Sequence, residues 1–305
     1  MDSINKKKIK ATIYVLLAGI CWGVIGIFSR KLSVVNINPV QIAMLRSLIT
    51  FISVFIISII IDKKSIIIDL KDIWIFMGSG ILSIAFFNIC YFISITKNSL
   101  SLAAILLYTA PSLVVIMSYV FFKEKMTKQK VWALIIAFIG LLCAVGLFNS
   151  DFQTSIVGLM VGLGSGFGFG YALYSIFSRI ALKKYSWLTV LFYTFFFATI
   201  SLLPFSNPIE LISVVVVDFR VVMTILSLGL FSTLLPFLLY TKGLETLEVG
   251  TAAILTFIEP VVATIVGIVI FNEAITISNL GGILLIIISL IILNMKSKVI
   301  ENFIK

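Results

Sequence analysis

The sequence predicts an all-α membrane protein with ten transmembrane helices, arranged as two inverted five-helix repeats. Three observations support this fold class. The composition is too apolar for a water-soluble domain, ten apolar runs are long enough to cross a bilayer, and the second half of the chain repeats the first.

The composition argues against an ordinary soluble fold. Of the 305 residues, 61% are apolar and only 12% are charged, whereas about a quarter of the residues of a soluble domain are charged. The net charge of +10 does not predict a nucleic-acid partner, because the basic residues lie in short segments between apolar runs. The chain has no His, and its three Cys are scattered within apolar runs. We therefore predict no metal site, no cofactor and no enzyme.

Ten apolar runs approach the length of about 20 residues that a helix needs to cross a bilayer. They lie near residues 11–29, 40–61, 73–95, 101–122, 130–148, 155–178, 187–205, 219–241, 249–271 and 278–295. Two further stretches, 62–72 and 206–218, contain apolar runs that are too short to span, and we expect them at the membrane interface. The second stretch could instead extend the eighth helix.

The positions of the basic residues predict the orientation. If the N-terminus is placed inside, most of the 23 Lys and Arg residues fall in segments on the inner side. Cytoplasmic segments of membrane proteins carry such an excess of positive charge. We therefore expect a multi-pass protein of the plasma membrane with both termini in the cytoplasm.

The second half of the sequence matches the first when the chain is shifted by 149 residues. This ungapped register aligns Arg30 with Arg179, Pro111 with Pro260, Glu124 with Glu273 and Thr127 with Thr276. It divides the chain into a first repeat, residues 1–149, and a second repeat, residues 150–305, with five predicted helices each. Because five is odd, the second repeat enters the membrane upside down. In transporters with this arrangement, the substrate site lies near mid-membrane where the repeats meet.

Several motifs carry a family resemblance. The second half contains Tyr240 to Leu244, Ala252 to Leu255, Glu259 to Ala263 and Phe271 to Glu273, and the first half repeats them more loosely. With Arg46 in the second predicted helix, these motifs make the chain resemble the EamA family of the drug/metabolite transporter superfamily. The first half departs from the second in having Ala110 where the second has Glu259.

The resemblance implies a secondary active transporter that works by alternating access. Members of the family export small organic metabolites, such as amino acids and related compounds, or drugs. The family fold places helices 5 and 10 at the periphery and lines a central cavity with helices 1, 3, 4, 6, 8 and 9. The alternatives are a passive facilitator or channel of the same fold, and, less favoured, a membrane-embedded enzyme.

Two charged residues within the spans are candidates for coupling. Glu259 lies near the centre of the ninth span, where an ionisable group is costly and usually functional. It could carry protons as the coupling ion, or it could be a paired structural residue. Arg46 could pair with Glu259 or bind an anionic substrate, and the alternative is that it snorkels to the interface.

Two prolines are candidate hinges. Pro111 and Pro260 remove backbone donors near mid-membrane and should free the carbonyls of Leu107 and Thr256. Their equivalent positions in the two repeats favour a functional bend over a fixed packing kink.

Polar-tipped side chains within the spans are candidate contacts for a small-molecule substrate, because buried polar groups need partners. These are Trp22, Asn88, Tyr91, Tyr108, Tyr171 and Tyr174. Each could instead hydrogen-bond to a neighbouring helix.

Two further features are expected to be structural. Glu124 and Glu273 follow the fourth and ninth spans, and we expect them to serve the start of the next helix, where Thr127 and Thr276 are predicted N-caps. The glycines from Gly162 to Gly170 in the sixth span are expected to allow close helix packing.

Overall fold

The computed structural model describes residues 2–97, 100–145, 156–164, 170–215 and 218–295, and this part of the chain is helical without any strand. Eight helical stretches are long and apolar enough to cross a membrane. They are Asn5–Val34, Pro39–Ile61, Leu70–Ser94, Leu102–Phe122, Trp187–Phe205, Phe219–Leu244, Val249–Phe271 and Ile277–Asn294. Each coincides with one of the predicted spans, so the prediction of an all-helical membrane protein is confirmed.

The two other predicted spans are also helical where the structure describes them. The fifth contains α8, Lys128–Ala144, which has 17 residues. The sixth contains α9, Ile156–Leu163, and α10, Tyr171–Ala181, on either side of residues 165–169, which lie outside the described part. The count of ten membrane-spanning helices therefore stays a prediction.

Most of the long spans are built from more than one helical segment. The segments before α8 are α1 (Asp2–Gly23), α2 (Ile25–Val34), α3 (Pro39–Ile61), α4 (Ile73–Met77), α5 (Phe86–Lys97), α6 (Leu100–Leu107) and α7 (Ala110–Phe122). Those after α10 are α11 (Trp187–Leu202), α12 (Pro208–Val215), α13 (Phe219–Gly229), α14 (Leu235–Leu244), α15 (Val249–Leu255), α16 (Ile258–Phe271) and α17 (Ile277–Asn294).

Wider π-helical turns interrupt the third and eighth spans. One covers Gly78–Ala85, between α4 and α5, and the other covers Leu230–Leu234, between α13 and α14. The two turns overlap when the chain is shifted by 149 residues. Such turns within helices are rare and frequently lie at functional sites, so the third and eighth spans share an uncommon backbone feature.

Helix ends agree with the local sequence. The Thr127 hydroxyl accepts a hydrogen bond from the Lys130 backbone N–H, and Thr276 accepts one from Asn279, so both predicted N-caps are confirmed. The preceding helices α7 and α16 end on Lys123 and Asn272, at φ 55° and 54°. The left-handed conformation commonly terminates helices, and here it occurs at equivalent positions of the two halves.

The two short stretches adopt local structure of their own. Residues 62–72 form 3₁₀ turns at Lys63–Ile66 and Leu70–Asp72. The stretch 206–218 contains the separate helix α12 and does not extend α13, because extended Asp218 caps α13 with its side chain. The first stretch is tied to the loop after α10, where Lys184 pairs with Asp69 and Asp72. Hydrogen bonds to these carboxylates raise the pKa of Lys184 above its usual range.

Helices α8 and α17 run antiparallel in close contact along their length. A Cβ at Gly140 would lie 2.9 Å from the Gly282 carbonyl oxygen, and one at Gly282 would lie 2.4 Å from the Ala144 nitrogen. Small residues let helix backbones approach in this way. The absence of a side chain at both glycines is therefore needed for this contact.

Each of these two helices also completes the other's C-terminus. The Gln129 amide near the start of α8 donates to the carbonyls of Ile292, Leu293 and Met295. At the opposite end, Ser278 and Asn279 of α17 donate to the carbonyls of Cys143 and Ala144. The last carbonyls of a helix have no hydrogen-bond donor within the helix. The contact between α8 and α17 therefore supplies donors that lipid cannot.

Candidate functional site

The ninth span breaks at Thr256 and Phe257, between α15 and α16. The Thr256 hydroxyl donates to the Ala253 carbonyl at 2.7 Å, and the Glu259 backbone N–H donates to the Thr256 carbonyl at 2.9 Å. The expectation that Pro260 frees the Thr256 carbonyl is therefore wrong, because a tighter turn supplies another donor. Glu259 lies in the first turn of α16, where the helix dipole favours a carboxylate.

The fourth span has the same kind of break, at Tyr108 and Thr109. The Thr109 hydroxyl donates to the Leu106 carbonyl at 2.6 Å, and the Ser112 N–H donates to the Thr109 carbonyl at 3.1 Å. Pro111 follows as the second residue of α7, a position where the missing N–H costs no helical hydrogen bond.

The two breaks meet each other. Tyr108 and Phe257 occupy equivalent positions in the two repeats, and their rings stack with centroids 6.1 Å apart and an interplanar angle of 27°. The structure thus places the two interrupted helices in contact at the point where each is interrupted.

Glu259 is the centre of a polar group at this meeting point. Its carboxylate lies beside the Tyr108 side chain and within electrostatic range of Arg46 in α3. Tyr91 in α5 lies within electrostatic range of the same carboxylate. Glu259 and Arg46 keep partial exposure, whereas Tyr108 is buried. Four residues that the sequence singled out are therefore brought together.

Helix α1 packs against this group through its backbone. A Cβ at Gly23 would lie 2.8 Å from the Glu259 carbonyl oxygen, and one at Gly19 would lie 2.3 Å from the Ile258 side chain. The neighbouring Trp22 is buried. Its ring contacts Phe237 and Tyr240, with centroids 5.2 and 5.5 Å away.

Tyr174 belongs to the same aromatic cluster. Its ring meets Phe237 edge-on at 4.9 Å, and its hydroxyl lies 2.6 Å from that of Thr241. The adjacent Ser175 bonds to the Tyr240 hydroxyl at 2.8 Å. Sequence reasoning missed the roles of Phe237, Thr241 and Ser175. Residues 174 and 175 meet residues 241 and 240, a pairing that only the packing of α10 on α14 reveals.

The two remaining predicted contacts are Asn88 and Tyr171. Asn88 donates to the Ile84 carbonyl of the preceding turn at 2.7 Å. Tyr171 is the first residue of α10, and its side chain lies outside the described part of the structure. Gly162 does pack closely, since a Cβ there would lie 2.4 Å from the Leu106 side chain, but the same expectation is wrong for Gly164, where a Cβ would meet nothing within 4 Å. Gly166 and Gly168 also fall outside the described residues.

The two acids after α7 and α16 hold different partners. Glu273 pairs with Arg30 of α2. Glu124 accepts hydrogen bonds from the backbone N–H groups of Val249 and Gly250, at 2.6 and 3.1 Å. The expectation that these acids serve the next helix is therefore wrong, because Glu124 caps α15, more than a hundred residues away.

No cluster of His, Cys, Asp and Glu in the described residues could hold a metal ion. The polar group around Glu259 brings together an acid, a guanidinium and two phenols. Such a set can bind a charged or polar organic group or exchange a proton.

Comparison with known proteins agrees with this architecture. The chain matches the EamA-like transporter family twice, over residues 9–146 and 157–295. It is 27% identical over 283 residues to a protein of Archaeoglobus fulgidus named an uncharacterized transporter, covering 93% of this chain and 98% of that one. It is also 27% identical over 249 residues to the uncharacterized transporter YdfC of Bacillus subtilis, covering 81% and 79%.

A solved structure has the same fold. This structure, described only as "Crystal structure of protein", superposes with a TM-score of 0.80 at 15% sequence identity and covers 95% of this chain and 98% of its own. The two family matches confirm the resemblance that the motifs carry. The chain belongs to the EamA-like transporter family and is an integral membrane protein.

Proposed function

We propose that this transporter is a secondary active exporter of small organic metabolites, such as amino acids, related compounds or drugs, and works by alternating access. The observation that carries the proposal is the position of Glu259 at the meeting of two broken helices, with Arg46 and Tyr108 beside it. A charged residue at this depth in a bilayer costs about 2.5–3.5 kcal/mol by the lower estimates. A transport role accounts for its presence.

The proposed architecture has ten spans in two inverted repeats, residues 1–149 and 150–305. The mutual capping of α8 and α17 supports it, because two equivalent helices make equivalent contacts in antiparallel directions. The overlapping breaks at residues 108–109 and 256–257 support it as well. Both termini face the cytoplasm of a plasma-membrane protein in this proposal, on the strength of the charge distribution.

Each candidate residue has a proposed role. Glu259 carries the coupling proton, and Arg46 balances its charge. Pro111 and Pro260 mark the positions where the fourth and ninth spans bend. The substrate contacts are Tyr91 and Tyr108 beside the acid, with Trp22, Asn88, Tyr171 and Tyr174 lining the rest of the path.

The test is proton-driven accumulation in proteoliposomes, using a substrate found by a thermal-shift screen of amino acids, nucleosides and cationic drugs. Glu259→Gln keeps the size of the side chain and removes the titratable group. We expect it to lower gradient-driven accumulation by about a hundredfold or more, the effect of losing a group essential to proton transfer. The matched control is Glu245→Gln, which changes an exposed acid outside the spans.

Two results would contradict parts of the proposal. Normal accumulation by a well-folded Glu259→Gln protein would reject the coupling role. Equal flux of the parent with and without a proton gradient would favour a passive facilitator of the same fold.

A further inference from the structure

The helix ends that follow the two breaks match in backbone but differ in their side-chain partners. Helices α7 and α16 both end in a left-handed residue that is followed by a glutamate. At one end of the molecule, which we call the Arg30 end, Glu273 binds a guanidinium. At the other, which we call the Glu124 end, the equivalent acid binds backbone N–H groups.

The Arg30 end is closed by an exposed ion pair. The Arg30 guanidinium binds Glu273 and also lies 4.0 Å above the Phe271 ring. About half of each charged side chain is exposed, 51% for Arg30 and 48% for Glu273. Gly267 provides the space for this carboxylate, because a Cβ there would lie 2.3 Å from a Glu273 carboxylate oxygen.

The Glu124 end is held differently. The Glu124 carboxylate caps α15 and lies 3.8 Å from the buried Lys130 ammonium, which also binds Glu248 at 2.5 Å. Arg179, the equivalent of Arg30, does not use this acid and donates instead to the Leu244 carbonyl. The basic turn that follows α10 nevertheless lies nearby, since the Lys183 ammonium is 5.4 Å from the centroid of the Phe122 ring.

Phe122 is the equivalent of Phe271. A basic residue therefore lies over the equivalent ring at both ends of the molecule, whereas only one end has formed its arginine–glutamate pair. In a protein that alternates between two inverted halves, each half adopts in the second state the arrangement that its equivalent has in the first. The arrangement at the Arg30 end therefore shows what the Glu124 end should adopt in the second state, and the arrangement at the Glu124 end shows what the Arg30 end should adopt.

We propose that the Arg30–Glu273 pair is a latch that stabilises the access state seen in this structure, and that an Arg179–Glu124 pair replaces it in the opposite access state. The inference rests on the proposed alternating-access function. In the exchange Arg30 releases Glu273, while Glu124 leaves the N-terminus of α15 and binds Arg179. A guanidinium offers paired charge-assisted donors in place of the two backbone donors that Glu124 gives up.

Cross-linking of introduced cysteines tests the latch without any transport measurement. The background lacks Cys21, Cys90 and Cys143. The first reporter carries Glu124→Cys and Arg179→Cys and keeps the Arg30 latch intact. We expect a low linked fraction that rises about two- to fivefold when Glu273→Gln removes the latch, the size expected for an exposed ion pair.

A variant without a charge change checks the same step. Gly267→Ala should displace the Glu273 carboxylate and raise the linked fraction in the same direction. Its matched control is Gly281→Ala, where a Cβ meets nothing within 4 Å. An unchanged linked fraction in both Glu273→Gln and Gly267→Ala would overturn the proposal.

A second reporter covers the case in which loss of the Glu124 cap prevents folding. It carries Arg30→Cys and Glu273→Cys, and Arg179→Gln is added to weaken the opposite state. We expect a higher linked fraction with Arg179→Gln, and no change would reject an exchange between the two pairs. If linking responds as expected but no gradient-driven flux is found, the latch stands and the proposed coupled transport fails.

Discussion

The breaks in the fourth and ninth spans have nearly the same backbone and different chemistry. In each, a threonine hydroxyl bonds to the carbonyl three residues earlier, and a proline follows within the next turn. Yet Ala110 is fully buried in the first repeat at the position that Glu259 occupies in the second. The first repeat contributes a phenol, Tyr108, and the second contributes the acid beside it. Both repeats therefore contain the bend, whereas only the second repeat has an acidic residue at this position.

Of the changes that distinguish the two breaks, replacement of the prolines should have the largest effect. Pro111→Ala and Pro260→Ala each remove a proline ring that would clash with the carbonyl four residues earlier in a continuous helix, so each should allow one span to straighten across its break. Because the proposed repeats are inverted, we expect the two variants to favour opposite access states. Labelling of a cysteine placed at Tyr91 by an impermeant maleimide should rise several-fold in one variant and fall several-fold in the other, so the two variants should differ by more than about tenfold.

The background for this measurement again lacks the three native cysteines. Pro39→Ala is the matched control, since Pro39 lies at the start of α3 and not at a break. If both variants label and transport like the parent, the prolines are fixed packing kinks. The bend would then have to be sought in the glycines of the sixth span.

Loss of Arg46 should have an intermediate effect. Arg46→Gln removes the positive charge that α3 places near Glu259. We expect gradient-driven accumulation to fall about tenfold, because a partly buried interaction between two charges is lost. Arg46→Lys keeps the charge and should restore part of the activity. Full activity of Arg46→Gln in initial-rate measurements would show that the acid works without this partner.

The smallest effect is expected at the stacked pair. Tyr108→Phe removes the hydroxyl beside Glu259 but keeps the ring that stacks on Phe257. A typical hydrogen bond contributes about 0.5–1.5 kcal/mol net, so we expect a loss of about two- to tenfold in initial rate with unchanged thermal stability. Phe257→Leu removes the stacked ring and leaves the Tyr108 hydroxyl and the acid in place, and it should leave the rate within about twofold. A larger loss in the second variant would show that the ring contact matters more than the acid's partner.

Local features were the ones that the sequence could predict. The N-caps Thr127 and Thr276 bond to N–H groups three residues away, so the pattern of nearby residues is sufficient. The apolar runs predicted the spans because bilayer thickness sets their length. Glu259 was singled out by its own position, since an ionisable residue in an apolar run is usually functional, and its role stays a prediction.

Long-range partners could not be predicted in the same way. Glu124 binds the backbone at Val249, and any helix start would offer the same donors. The Tyr174 hydroxyl meets Thr241 because α10 packs on α14, which no single-helix pattern specifies. The Thr256 carbonyl accepts a hydrogen bond from the Glu259 N–H because the chain forms a tighter turn before Pro260. The expectation of a free carbonyl assumed a regular α-helix around the proline.

The mutual capping of α8 and α17 has a consequence for biogenesis. The carbonyls of Cys143 and Ala144 are satisfied by Ser278 and Asn279, which the ribosome makes more than a hundred residues later. Until α17 inserts, the C-terminus of α8 and the groove at Gly140 have no protein partner of this kind. We therefore expect a chain that stops before α17 to be a substrate for membrane quality control, even though its first nine predicted spans are already in the bilayer.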